Sequence, residues 1–139
     1  MLLGRALTQN WWLGGLLGFL YAFSPQYFTY VYGGHDGKMM VFAIAPLAIL
    51  SIRKIIREAS LKYFVAFVLS VVWMILGSHL QLTYLFLWGA GLYALYEMFF
   101  LDAARTIKIK RLGLTAFGLA IALAISSFQI IPPYLYTTK

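Results

Sequence analysis

Five long apolar runs, separated by short polar or basic segments, organise the chain. A helix needs about 20 predominantly apolar residues to cross a hydrocarbon core of about 30 Å, and that length defines the predicted spans. The first runs from Trp11 to Tyr32 without a charge and is predicted to kink or break at Ser24 and Pro25. The second, Met39 to Ile52, contains Pro46 and gains length only by extending into the basic segment after it. The third runs from Tyr63 to Ser78, and the fourth from Leu82 to Leu101 with Glu97 near its end. The fifth, Leu112 to Ile131, is predicted to stop at Pro132 and Pro133, whose rings remove two backbone donors. No repeat or low-complexity linker divides the chain. The expected architecture is all-α, a polytopic transmembrane bundle of about five spans forming one region over residues 1–139.

Charge orients this bundle. Short basic loops resist translocation, so Lys and Arg collect on the cytoplasmic side. Arg5, the Arg53, Lys54, Arg57, Lys62 set and the Arg105, Lys108, Lys110, Arg111 set fall on one side of the predicted topology, with only Lys38 and Lys139 on the other. With five crossings the N-terminus is inside and the C-terminus outside. Arg5 before an apolar stretch resembles a signal sequence, but no small-residue cleavage site follows, and the segment is read as retained.

Composition agrees with a membrane environment. The chain is 63% hydrophobic and 11% charged, where a soluble domain carries about 25% charged residues. A net charge of +7 could point to nucleic acid, but the cations lie in clusters between apolar runs, which suits lipid headgroups, so nucleic-acid binding is not expected. The basic inner segments are expected to contact anionic membrane lipid. Without cysteine, disulfides, thiolate chemistry and Cys-ligated zinc are excluded. Trp11, Trp12, Tyr27, Tyr30, Tyr32, Tyr63, Tyr134 and Tyr136 lie near predicted helix ends, as interfacial anchors do. Gly14, Gly15, Gly18, Gly89 and Gly91 put small residues where helix backbones can approach.

Three outward connections hold most of the remaining polar chemistry: Gly33-Gly34-His35-Asp36-Gly37-Lys38, Ser78-His79-Leu80-Gln81 and Gln129-Ile130-Ile131-Pro132-Pro133. In the first, three glycines free the backbone for turns, and Lys38 places a cation at a helix start. Exposed N–H groups, Lys38 and His35 would all favour an anion such as phosphate; the alternative is a tight turn with incidental polar residues. Asp36 could hold a metal or act as a base, but pairing with Lys38 is the simpler expectation. His79 and Gln81 stand in or beside the turn between the third and fourth spans, where a histidine often serves as a hydrogen-bonded turn residue. No second histidine stands at i+3 or i+4 from either one, so the pattern supports no metal site. Glu97 is expected to be structural, reaching Arg105 or water.

The order of these segments, Pro25-Gln26-Tyr27, Gly34-His35-Asp36-Gly37-Lys38-Met39, His79-Leu80-Gln81-Leu82-Thr83-Tyr84 and Gln129-Ile130-Ile131-Pro132, resembles the YfhO family of bacterial multi-pass membrane proteins. The resemblance runs from about Trp11 to Tyr136. That family resembles the GT-C class of glycosyltransferases, which use a polyprenyl-phosphate-linked sugar on the extracytoplasmic face for cell-envelope glycosylation. The resemblance implies a bacterial plasma (inner) membrane location and a lipid-linked sugar donor as partner. It assigns His35 and Lys38 to the donor's charge, His79, Gln81 and Gln129 to the substrate-binding segments, and Asp36 as candidate catalytic carboxylate. The large first outer loop of such enzymes has no counterpart here. The chain is therefore expected to be a fragment of a longer protein, inactive by itself, with no assignable cofactor. The alternatives are a transporter or flippase segment with helices broken around a polar path, and a non-catalytic membrane scaffold subunit.

Overall fold

A short helix not anticipated from the apolar runs, α1 (Leu2–Thr8), opens the chain. It is followed by α2 (Trp11–Ala22), which Asn10 caps by accepting the Trp12 and Leu13 N–H groups at 2.8 and 3.3 Å. The computed structural model describes residues 1–34, 36–77 and 79–137, and for residues 133–137 the backbone alone. Within it the break expected at Ser24 and Pro25 is present. A residue preceding proline is driven out of the helical region; Ser24 is extended (φ −65°, ψ 142°), and Pro25 starts α3 (Pro25–Tyr32).

The second run does extend into its basic segment, as α4 (Asp36–Glu58), with Pro46 inside the helix. Next come α5 (Leu61–Leu76) and α6 (Leu80–Phe99). The predicted fifth span is corrected: α7 (Arg105–Ile125) ends at Ser126, and α8 (Ser127–Thr137) runs through both prolines. A proline's own φ is helical, so the ring removes a donor and crowds the preceding turn without forbidding a helix. The fold is all-α. Among the described residues α4 is the one helix both long and apolar enough to cross a membrane, and α5 is apolar but 16 residues long.

The core is built around α4. Val41, Ala48, Ile52, Ile55 and Ile56 meet Phe67, Val71, Met74 and Ile75 of α5, Ala90 and Ala94 of α6, and Ala122 of α7. Small residues set these distances. A methyl on Gly118 would stand 3.0 Å from the Phe64 ring and 3.2 Å from Phe67, so α7 sits close on α5 there. At the N-terminus α1 folds back on α2, where added methyls on Gly14 and Gly18 would come within 2.6 Å of the Arg5 and Met1 backbones. The expected close approach is therefore realised at Gly14 and Gly18. It fails at Gly15, Gly89 and Gly91, which have no neighbour within 4 Å of an added methyl.

Large apolar side chains also cover the outside. Trp12 is 89% exposed, and Phe19, Leu69, Trp73, Trp88, Leu92 and Phe117 face outward too. Tyr32, 98% exposed, stands at the end of α3. Large apolar side chains thus face outward along each of the long helices.

Candidate functional site

The helix ends sort the polar chemistry into two groups. Arg111 of α7 donates to the Ile56 and Arg57 carbonyls at 2.7 and 2.8 Å, a cation closing the C-terminal end of α4. Arg5 shares a cavity with Arg53, Lys54 and Arg57, and Lys108 reaches the Phe99 carbonyl. Lys38 lies at the opposite end of α4, about 28 Å of helix rise from Arg57.

At that opposite end the two glycine-containing turns meet. A methyl built on Gly37 would lie 2.5 Å from the Gly77 carbonyl oxygen and 3.4 Å from His79 Cβ. The first turn of α4 thus rests directly on the end of α5, and a methyl built on Gly77 would in turn lie 3.4 Å from Met40 Cβ. His79 caps α6: its Nδ1 accepts the Leu82 N–H at 3.3 Å. A neutral imidazole accepting at Nδ1 carries its proton on Nε2, which leaves one donor for another group. Thr83 Oγ1 stands 3.2 Å from both the Met74 and His79 carbonyls and ties the start of α6 to the end of α5.

Lys38 is directed the other way. Its ammonium sits 5.6 Å from the centre of the Tyr30 ring, in an open recess of about 710 Å³ lined also by Phe28, Tyr32 and Gly33. The structure therefore brings the backbones of the Gly37 and His79 turns together while Lys38 reaches toward α3. Gly34 adopts φ +64°, a left-handed turn suited to glycine. Asp36 is exposed in the first turn of α4, where a carboxylate complements the helix dipole. The expected Asp36–Lys38 pair is absent; among the described residues the ion pairs join Arg53 and Arg57 to Glu97 and Lys54 to Glu58. Gln81 is exposed in the first turn of α6, and Gln129 is half-buried in α8, its N–H on the Ser126 carbonyl. His35, Ser78 and Lys139 lie outside the described residues, as do the side chains of Tyr134 and Tyr136.

The chain matches no family model, no curated protein and no solved structure.

An apolar cleft of about 520 Å³ runs between α6 and α7, from Tyr84 toward the basic end of the bundle at Leu95 and Leu112. Tyr84, Leu87, Trp88 and Leu95 line it from α6, and Leu112 and Leu119 from α7. Tyr84, five residues after His79, is the lining residue of α6 nearest the cap. Gly91 lies on its wall with empty space where a side chain would be.

At the basic end, sequence reasoning missed the partners of Glu97. Its side chain is fully buried and binds Arg53 through one oxygen and Arg57 Nε through the other at 2.6 Å; Tyr93 OH donates to it at 2.7 Å. The expected contact with Arg105 is replaced by this clamp between α4 and α6. The spacing of Arg53 and Arg57, one turn apart on one helix face, was the available signal, but it does not say which helix brings the carboxylate.

Proposed function

We propose that this chain is a membrane-embedded helical part of a YfhO-like, GT-C-like glycosyltransferase that takes a polyprenyl-phosphate-linked sugar at the Gly37/His79 end. The carrying observation is the seating of the start of α4, at Gly37, on Gly77 and His79, at the end of α4 remote from the basic cluster. Support for a membrane of about five crossings comes from the outward-facing large apolar side chains and from the gathering of cations at one end. That polarity makes the Gly37/His79 end extracytoplasmic in this reading.

The arrangement divides a lipid-linked donor into two parts. The cleft along α6 and α7 suits an isoprenoid tail, being apolar and laterally open. The Nε2–H of His79 and the Lys38 ammonium are the donors for the phosphate. As the glycosidic bond breaks, negative charge grows on the departing phosphate, and fixed donors that meet it there lower the barrier. The two donors leave their present anchors unequally: His79 is held by its capping bond, whereas Lys38 rests on an aromatic face and is free to swing on four methylenes. Asp36, exposed beside Lys38, is the candidate carboxylate within this segment.

The test is sugar transfer by the full-length protein in membranes. Lys38→Ala and His79→Asn are each expected to abolish transfer while membrane insertion stays normal; asparagine preserves a helix cap but not the imidazole donor. Normal transfer by both variants would remove the site assignment. A transporter segment is the second reading, favoured by the helix breaks at Ser24 and Ser126 and by Pro46 within α4. It requires substrate movement without transfer, which the same membranes report.

A further inference from the structure

At the end of the bundle opposite His79, α1 and the C-terminal half of α4 enclose a cavity of about 440 Å³ lined by Arg5, Gln9, Arg53, Lys54, Arg57 and Glu58. Unlike the α6–α7 cleft, its walls are mostly polar. Its charges do not cancel. Glu97, behind the wall, serves both Arg53 and Arg57, and Glu58 serves Lys54, while the ion pairs among the described residues include none at Arg5. Four cations against two carboxylates leave an excess of two positive charges around one small space.

The cations are also held in place. Arg53 contacts Glu97 through one Nη1 and Arg57 through Nε, so donors remain on both guanidinium forks. The Arg57 side chain is 41% exposed, half turned toward water. The Arg5 guanidinium carbon stands over the Trp11 ring, 3.7 Å from its centre, a contact that restrains a side chain of the cavity lining. That position depends on the α1–α2 hairpin, whose turn has Gln9 in the left-handed region at φ 57° and whose helices touch through Gly4 and Gly14. Planar guanidiniums that line one gap and are restrained by neighbouring groups suit the oxygens of phosphate, and they lose less entropy on binding it than free side chains would.

We infer that the cavity between α1 and α4 binds a phosphate group, carried by an anionic phospholipid headgroup or present as the free anion. The role is separate from the Gly37/His79 end. Occupancy would bridge α1 to α4 and hold the N-terminal hairpin against the bundle, so the ligand acts as a structural clasp. A phosphodiester or a phosphate ion fits the charge excess; a zwitterionic headgroup brings its own cation into a site that already has too many.

Native mass spectrometry on the full chain in detergent, with added dioleoylphosphatidylglycerol or dioleoylphosphatidylcholine, tests the lipid arm. Phosphorus NMR line broadening of inorganic phosphate tests the other. The variant is R5Q/K54Q, which spares the Glu97 clamp; the control is K108Q/K110Q, which removes equal charge outside the cavity. Wild type and control are expected to retain phosphatidylglycerol over phosphatidylcholine, and R5Q/K54Q to lose about tenfold of that retention. Phosphate broadening without lipid preference, abolished in R5Q/K54Q alone, assigns the site to the free anion. Equal loss in the variant and the control, or no difference between wild type and R5Q/K54Q with either probe, overturns the inference. Circular dichroism of R5Q/K54Q matching wild type excludes unfolding as the cause of any loss, and sugar transfer at the opposite end is not a readout of this site.

Discussion

The Tyr21 hydroxyl donates to the Phe42 carbonyl at 2.6 Å, and Phe42 is the residue whose helical partner Pro46 removes. In an α-helix the N–H of residue 46 would bond the carbonyl of residue 42, four positions earlier. Proline has no N–H, so α4 carries an orphan acceptor, and α2 supplies a phenol to it. This contact ties α2 directly to the central helix. Tyr21→Phe is expected to destabilise the protein by about 1–3 kcal/mol, the cost of an acceptor left unpaired. Pro46→Ala restores the N–H and is expected to shrink that cost to a few tenths, which a double-mutant cycle by thermal or denaturant unfolding in detergent checks. An equal cost of Tyr21→Phe in both backgrounds would mean the hydroxyl contributes nothing through Phe42.

Gly37→Ala is expected to disturb the meeting of the two turns. The added methyl faces a backbone oxygen at 2.5 Å, which cannot swing aside as a side chain would. A cost of about 1–3 kcal/mol follows from overpacking of this kind. Gly89→Ala, with open space around it, is the matched control and should stabilise by up to about 1 kcal/mol through helix propensity. Unfolding midpoints of the two variants, read side by side, must move in opposite directions.

Glu97→Ala is expected to be the most damaging single change in the bundle. It strips the shared carboxylate from Arg53 and Arg57 and leaves the Tyr93 hydroxyl without its acceptor. Removing one side of a buried ion pair costs about 3–5 kcal/mol. Adding Arg53→Met, which removes one stranded cation, should recover part of it. A loss below about 1 kcal/mol would show that water replaces the carboxylate freely.

Gly91→Leu separates stability from function. A Cβ at position 91 has no neighbour within 4 Å on the wall of the α6–α7 cleft, and leucine is about 0.8 kcal/mol better than glycine in a helix. The variant is expected to unfold later than wild type while the sugar transfer of the proposed function falls, because in that reading the cleft holds the tail of a donor lipid. Stability and transfer are read on the same preparation, and undiminished transfer would clear the cleft of that role.

How much was legible in the sequence varied with how local the cause is. The Ser24–Pro25 break, the extension of α4 past Ile52 and the α5 and α6 helices follow from proline geometry and apolar length, and they were visible beforehand. The end of α7 was not, because two prolines look like a stop although their own backbone angles allow a helix to continue. Of the candidate site, the nearness of the Gly37 and His79 turns was anticipated from topology, since both follow helices that end on one side. The direction of Lys38 was not: neighbouring helix positions differ by about 100°, so contact at Gly37 turns Lys38 toward Tyr30 and away from His79.

By itself the sequence determined an all-helical protein and the approximate bounds of its central helices, because these depend on spacing along one chain. Only the tertiary structure decided that Glu97 belongs to Arg53 and Arg57, that Tyr21 repairs the carbonyl freed by Pro46, and that Gly91 faces a cleft while Gly37 faces a backbone. Each of those is a meeting between helices, and a helix pattern names the residues on a face without naming the face they meet.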